Sequence, residues 1–146
     1  ECGLDKITKT DFELQKLVFK NQILLSEKYK RPLIIHCVRA FQEIIEFRQS
    51  LQPKQIWILH GFNKNEQVAH SFLKNGFVLS VGAAIINNKK LQEVILNISL
   101  DSIVLESDDA EVNIQEIYQK IATIKNIEVS ALQQKIAQNF KRIFKR

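Results

Sequence analysis

Arg31-Pro32-Leu33-Ile34-Ile35-His36-Cys37, followed one repeat later by Ile56-Trp57-Ile58-Leu59-His60, is the stretch that decides the fold. Each contains a short apolar run rich in β-branched residues and closing on a histidine. Each is followed by a segment with apolar residues at helical spacing. Phe77-Val78-Leu79-Ser80-Val81-Gly82 and Ser102-Ile103-Val104-Leu105-Glu106 repeat the pattern. Short buried strands alternating with amphipathic helices are the mark of βαβ units and a parallel α/β sheet. With a stub at Glu1, these runs make about five βα units, which fits either the end of a closed barrel or a doubly wound open sheet. A barrel conventionally takes about eight strands, so on the barrel alternative the first two or three lie outside this chain.

The intervening helices are legible as well. Asp11 should cap a helix carrying Leu14, Leu17, Val18 and Leu24, which ends before Pro32 because the residue preceding a proline is pushed out of the α region. Ala40 to Leu51 carries Phe41, Ile44, Ile45 and Phe47. Asn65 to Lys74 carries Val68, Phe72 and Leu73, with Gly76 placed for a C-terminal cap. A shorter helix is expected from Leu91 to Ile98, then two more from Ile114 to Ile124 and from Ser130 to Phe144. Ser130 is the expected N-cap of the last, and Lys141, Arg142, Lys145 and Arg146 complement its dipole.

Composition sets bounds. With 146 residues, 45% hydrophobic and 25% charged, the chain reads as one globular domain, residues 1–146, with no linker and no repeat. No run reaches the roughly 18 apolar residues of a membrane span and no signal-peptide pattern opens the chain, so a cytoplasmic protein without membrane partners is expected. The opening Glu-Cys-Gly-Leu-Asp and the lack of any methionine suggest that residues precede it. Cys2 and Cys37 are too few for a disulfide framework and read as reduced thiols. A net charge of +5 favours anionic partners such as nucleic acid, but only weakly.

The chemistry is expected where polar residues meet strand ends. His36 and His60 close neighbouring runs, Asp108 lies just past a third, and Glu1 heads the segment that would follow a preceding strand. In a parallel fold these ends share one face, the one on which active sites are built. Two imidazoles and two carboxylates form a mixed nitrogen and oxygen donor set suited to zinc, manganese or a similar divalent ion. A single histidine at a strand end is more often structural; two of them one βα repeat apart fall on neighbouring strands, within reach of one ion. Strand alternation that turns His36 inward sends Cys37 outward into packing. Glu106 is read as an acceptor for a histidine N–H rather than a ligand. Asp109 is read as a cap, His70 as a surface residue and Asp5 as ordering the Gly3-Leu4-Asp5 turn. Arg39, Lys64, Lys89 and Lys90 follow strand ends and are either phosphate contacts or solvated side chains.

The order of motifs resembles that of the TatD-type metal-dependent deoxyribonucleases. Glu1-Cys2-Gly3-Leu4-Asp5 is similar to the family's Gly-Glu-x-Gly-Leu-Asp motif, and Phe19-x-x-Gln22 to its following helix. Arg31 to Cys37 is similar to its Pro-x-x-Ile-His strand, Leu59-His60-Gly61-Phe62 to its His-x-Phe segment, and Gly76-Phe77-x-x-Ser80-x-Gly82 to its Gly-Phe-x-x-Ser-x-Gly strand. Leu105-Glu106-Ser107-Asp108 is similar to Leu-Glu-Thr-Asp, and Asn139-Phe140-x-x-Ile143-Phe144 to the closing Asn-x-x-Arg-Leu-Phe helix. The resemblance implies a TIM-type (β/α) barrel of the metal-dependent hydrolase kind, of which this chain is the C-terminal part. It implies one or two divalent ions (zinc, magnesium or manganese) held by Glu1, His36, His60 and Asp108. Glu1 would bridge two ions, His36 and His60 would hold one, and Asp108 would be catalytic, binding or orienting the attacking water. The implied reaction is phosphodiester hydrolysis on DNA, at single strands or ends.

The family's His-x-His pair of the first strand has no counterpart in the sequence, Val38-Arg39 replaces Arg-Asp, Asn63-Lys64-Asn65 replaces Ser-Gly-Ser, and Asp109-Ala110 replaces Ala-Pro. The alternatives are therefore a non-catalytic remnant or a nucleic-acid- or metal-binding module on the same scaffold, or a hydrolase of amide or ester bonds.

Overall fold

The β-branched runs do form strands. A computed structural model describes residues 1–108 and 111–144. Five strands, β1 (Cys2–Asp5), β2 (Leu33–Val38), β3 (Trp57–Leu59), β4 (Phe77–Val81) and β5 (Ile103–Leu105), pair in parallel in the order of the sequence. That order decides between the two alternatives. A doubly wound sheet reverses its strand order at a switch point, whereas strands laid down one after another around an axis are the winding of a barrel.

Six helices return the chain: α1 (Phe12–Tyr29), α2 (Phe41–Leu51), α3 (Glu66–Lys74), α4 (Lys89–Asn97), α5 (Ile114–Lys125) and α6 (Val129–Phe144). Short 3-10 turns at Ala83–Ile85 and Leu100–Ser102 flank α4. Local chemistry fixes their starts. Asp11 accepts from the Leu14 N–H at 2.8 Å, Asn65 from Val68 at 3.1 Å and Asn88 from Leu91 at 3.1 Å. Asn113 and Glu116 form a reciprocal capping box on α5. Gly76 follows α3 at φ 76°, its N–H bonded to the Leu73 carbonyl, as a residue just beyond a helix end should be. The final helix departs from expectation: it begins at Val129, so Ser130 lies inside its first turn instead of capping it. Lys145 and Arg146, expected to complement its dipole, and Asp109, expected to cap the preceding segment, lie outside the described residues.

The strand alternation sorts the core into two parts. Outward side chains of the strands, Leu4, Ile35, Trp57, Leu59, Phe77, Leu79 and Ile103, pack against the helices in the main core. Within it, Phe19, Phe47, Trp57, Phe72 and Phe77 form a chain of edge-to-face rings with centroids 4.8–5.6 Å apart. Inward side chains Ile58 and Val78 join Val104, Ile143 and Phe144 in a smaller cluster on the other side of the sheet. The carboxyl-terminal turn of α6 reaches this inner side, pinned by buried Asn139, whose amide donates to the carbonyls of Leu100 (2.6 Å) and Ile103 (2.8 Å) at the entry to β5.

One helix packs in a different phase from that read in the sequence. Leu14, Leu17, Val18 and Leu24 of α1 are exposed, and the helix buries Phe19, Ile23 and Ser26 instead. Apolar residues run along two faces of α1, and the larger aromatic takes the core.

Candidate metal centre

The alternation that sends Leu4, Ile35, Leu59 and Leu79 into the helical layer turns Glu1, Gly3, Asp5, His36, His60, Ser80 and Glu106 to the opposite, inner face. Register brings them level. Gly3 pairs with His36 across β1 and β2, and the ladder continues past the ends of the assigned strands: His60 N–H donates to the Ile35 carbonyl (3.0 Å), Phe62 N–H to Ser80 (2.9 Å) and Glu106 N–H to Val81 (3.2 Å). His60 and Glu106 are thus held by sheet hydrogen bonds although each stands one residue beyond its strand. Glu1 leads directly into β1.

The four candidate ligands approach one another in pairs. One carboxylate oxygen of Glu1, Oε1, lies 3.6 Å from His36 Nδ1 and 4.0 Å from His60 Nε2, and Asp108 Oδ2 lies 3.4 Å from the same His60 nitrogen. Two donors sharing a tetrahedral zinc at about 2 Å sit roughly 3.3 Å apart. The His60–Asp108 pair meets that spacing, His36–Glu1 nearly does, and Glu1–His60 is wider. Among the described residues no group of three or more His, Cys, Asp or Glu side chains is gathered at ligating separations; the Glu1 side chain is 46% exposed. The donor chemistry fits a divalent ion. Asp108 adopts a left-handed backbone, φ 47°, uncommon for a residue with a Cβ and a recurrent feature of functional positions.

Behind the ligands stands Glu106. Its Oε2 lies 3.0 Å from His60 Nδ1 and accepts from the Ser80 hydroxyl, while its Oε1 accepts the Gly61 N–H at 2.8 Å. The acceptor role read from the sequence is the one it takes toward His60. Burial pushes the His60 imidazole down, but the Glu106 hydrogen bond and the charges of Glu106, Glu1 and Asp108 outweigh it and hold the group above its ordinary value.

Asp5 is closer to the cluster than its turn-ordering role suggested. Gly3-Leu4-Asp5 is part of strand β1 rather than a turn; Asp5 Oδ1 accepts from Ile7 N–H at 2.7 Å, which orders the bend after the strand, and its Oδ2 lies 3.6 Å from His36 Nε2. The signal in the sequence was the alternation Glu1, Gly3, Asp5, which places both carboxylates on the face of His36. Backbone hydrogen bonds from Ile7 and Thr8, together with His36, hold the Asp5 carboxyl below its usual range.

Glu1, His60, Ser80, Glu106 and Asp108 open onto a cavity of about 260 Å³ whose floor is Ile34, Ile58, Val104, Phe140 and Phe144. Among the described residues its lining contains no lysine or arginine. Arg39, Lys64, Lys89 and Lys90 are exposed, and Lys64 sits 5.8 Å above the Phe41 ring. His70 is exposed on α3 beside Glu66, as expected of a surface residue. Cys37 and Cys2 are half-buried free thiols, pushed by burial up to about 12 and about 11 respectively, which makes them poor ligands or nucleophiles.

YabD of Bacillus subtilis, named as an uncharacterized metal-dependent hydrolase, is 27% identical over 162 residues, covering 99% of this chain and 64% of YabD. YjjV of Escherichia coli, similarly named, is 29% identical over 111 residues, covering 74% of this chain and 43% of YjjV. The crystal structure of YjjV, a TatD homologue, superimposes with a TM-score of 0.90 over 100% of this chain and 62% of its own, at 23% identity. That of a TatD family hydrolase from Entamoeba histolytica gives 0.87 over 99% and 62%, at 18% identity. This chain therefore spans less than two thirds of these relatives, and the fold it shares with the two crystal structures is the TIM-type barrel winding. The family model described as "TatD related DNase" matches residues 1–145, and the chain belongs to that family.

Proposed function

We propose that Glu1, His36, His60 and Asp108 hold a divalent metal in a hydrolase that cleaves phosphodiester bonds in DNA, single strands or ends being the favoured substrate. The observation that carries this reading is one Glu1 oxygen standing between two imidazoles, with Asp108 approaching the same His60 nitrogen, Nε2. The family description and the metal-dependent hydrolase names of the relatives support it. When bound, the ion would supply a Lewis acid for a non-bridging phosphate oxygen and lower the pKa of a water toward roughly 7. Asp108, the most exposed of the four side chains at 57%, takes the proton from the attacking water as general base. His60 and His36 present ring nitrogens to the Glu1 carboxylate.

The cavity also favours a second reading. Phosphate recognition usually recruits Arg or Lys, and none lines this cavity among the described residues. Amide or ester hydrolysis on the same metal set needs no such cation.

The deciding experiment is zinc and manganese titration of the chain by calorimetry, followed by incubation of the loaded protein with single-stranded DNA, duplex DNA and an amide and ester panel, with chelator controls. DNA cleavage that disappears in H36A and H60A supports the nuclease reading. Unchanged metal binding in both variants refutes the ligand assignment, and ester or amide turnover without DNA cleavage refutes the substrate.

A further inference from the structure

Three groups meet the Glu106 carboxylate, and they are not equivalent. Oε1 takes the N–H of Gly61, a backbone group that can only donate. Oε2 takes the Ser80 hydroxyl, which can rotate to donate or accept, and faces His60 Nδ1, which carries a proton in one neutral tautomer and a lone pair in the other. Gly82 makes room for the side chain, since a Cβ there would stand 3.3 Å from Glu106 Cγ.

We propose that Glu106 is a positioning residue that selects the tautomer of His60, holding the proton on Nδ1 so that the Nε2 lone pair faces Glu1 and Asp108. A carboxylate has no proton to offer, so a neutral imidazole beside it must donate. The nitrogen left unprotonated is then Nε2, the atom 3.4 Å from Asp108 and 4.0 Å from Glu1. The metal half of this proposal rests on reading His60 as a ligand; the tautomer half does not.

The same geometry dictates what glutamine does at this position. Because the Gly61 N–H can only donate, the amide oxygen of E106Q stays with Gly61 and the NH2 group turns toward Ser80 and His60. Ser80 accommodates it by accepting. His60 can do so only by offering the Nδ1 lone pair, which moves its proton to Nε2 and aims an N–H at the space between Glu1 and Asp108. A nearly isosteric change of one atom should therefore invert the imidazole and block its metal-facing nitrogen.

The test is nitrogen-15 NMR of the histidine side chains in the metal-free full chain at about pH 9, where imidazoles are neutral. Wild type should show the Nδ1–H form of His60 and E106Q the Nε2–H form, and S80A, which keeps the carboxylate, should match wild type. Calorimetric titration with zinc alone should then show E106Q binding about 10–100-fold more weakly. An Nε2–H tautomer in wild type overturns the proposal even if E106Q fails to fold, and so does an unchanged tautomer in a folded E106Q. Full zinc affinity in H60A overturns the ligand reading on which the metal half stands, while the tautomer measurement still decides the role of Glu106.

Discussion

At the scale of single residues, Gly3 has the narrowest tolerance. A Cβ there would fall 1.8 Å from the carbonyl oxygen of His36 and 2.8 Å from its nitrogen, backbone atoms with no alternative position. Gly3→Ala must push β1 and β2 apart at the level of the candidate ligand His36. It should cost about 3 kcal/mol, the upper end for overpacking, read as a lower urea midpoint, and should weaken zinc binding in the same variant. A loss below about 0.5 kcal/mol would mean that the two strands are less closely apposed than described. His60 sets a second expectation. Its folded-state pKa is raised, so its contribution to stability is fully present below the unfolded value near 6.5 and is lost as pH rises through the higher folded value. The metal-free chain should lose thermal stability as pH climbs through that window, and H60Q should lose the dependence. Zinc affinity should move the opposite way, rising with pH as the proton it displaces becomes easier to remove.

At the scale of elements, α1 shows why strands and helix ends are easier to read than helix faces. Asp11 capped the helix as read, since capping depends on one side chain and the N–H groups three residues on. The face did not follow. Leu14, Leu17, Val18 and Leu24 repeat at helical spacing as well as Phe19 and Ile23 do, and only the sheet decides which stripe is covered. Phe19→Ala should cost about 3–5 kcal/mol and Leu17→Lys no more than about 0.5 kcal/mol, compared by urea unfolding; the reverse order would show that α1 is rotated. The inner face shared by the candidate ligands was legible because strand alternation and the parallel register are strict, so His36 and His60 fall on the same side of the sheet. Asp5 was underweighted because its turn role is local and visible, whereas its approach to His36 Nε2 depends on the pairing of β1 with β2. The choice between barrel and open sheet was closed to any reading of single segments, because strand order belongs to the sheet and not to any strand in it.

At the scale of the whole molecule, the candidate ligands come from β1, the ends of β2 and β3, and the segment after β5, so an ion bound among them ties together elements spread over more than a hundred residues. Binding to the folded state alone then stabilises it: zinc at about 100 times its dissociation constant should add about 2.7 kcal/mol, seen as a rise in Tm that a chelator reverses. No zinc-dependent shift, or an equal one in H36A and H60A, would count against the assignment. The single tryptophan makes such measurements direct. Trp57 is fully buried at the start of β3, ringed by Phe19 and Phe77, with the Arg48 guanidinium 5.2 Å from its ring centroid and its indole N–H without an acceptor. It points into the helical layer while His60, three residues on and roughly 10 Å further along the strand, points to the inner face. The molecule thus carries its own fluorophore at the opposite end of the strand from its candidate chemistry, insulated from any ion and from any paramagnetic quenching by manganese, yet reporting by a red shift in emission the moment the sheet comes apart.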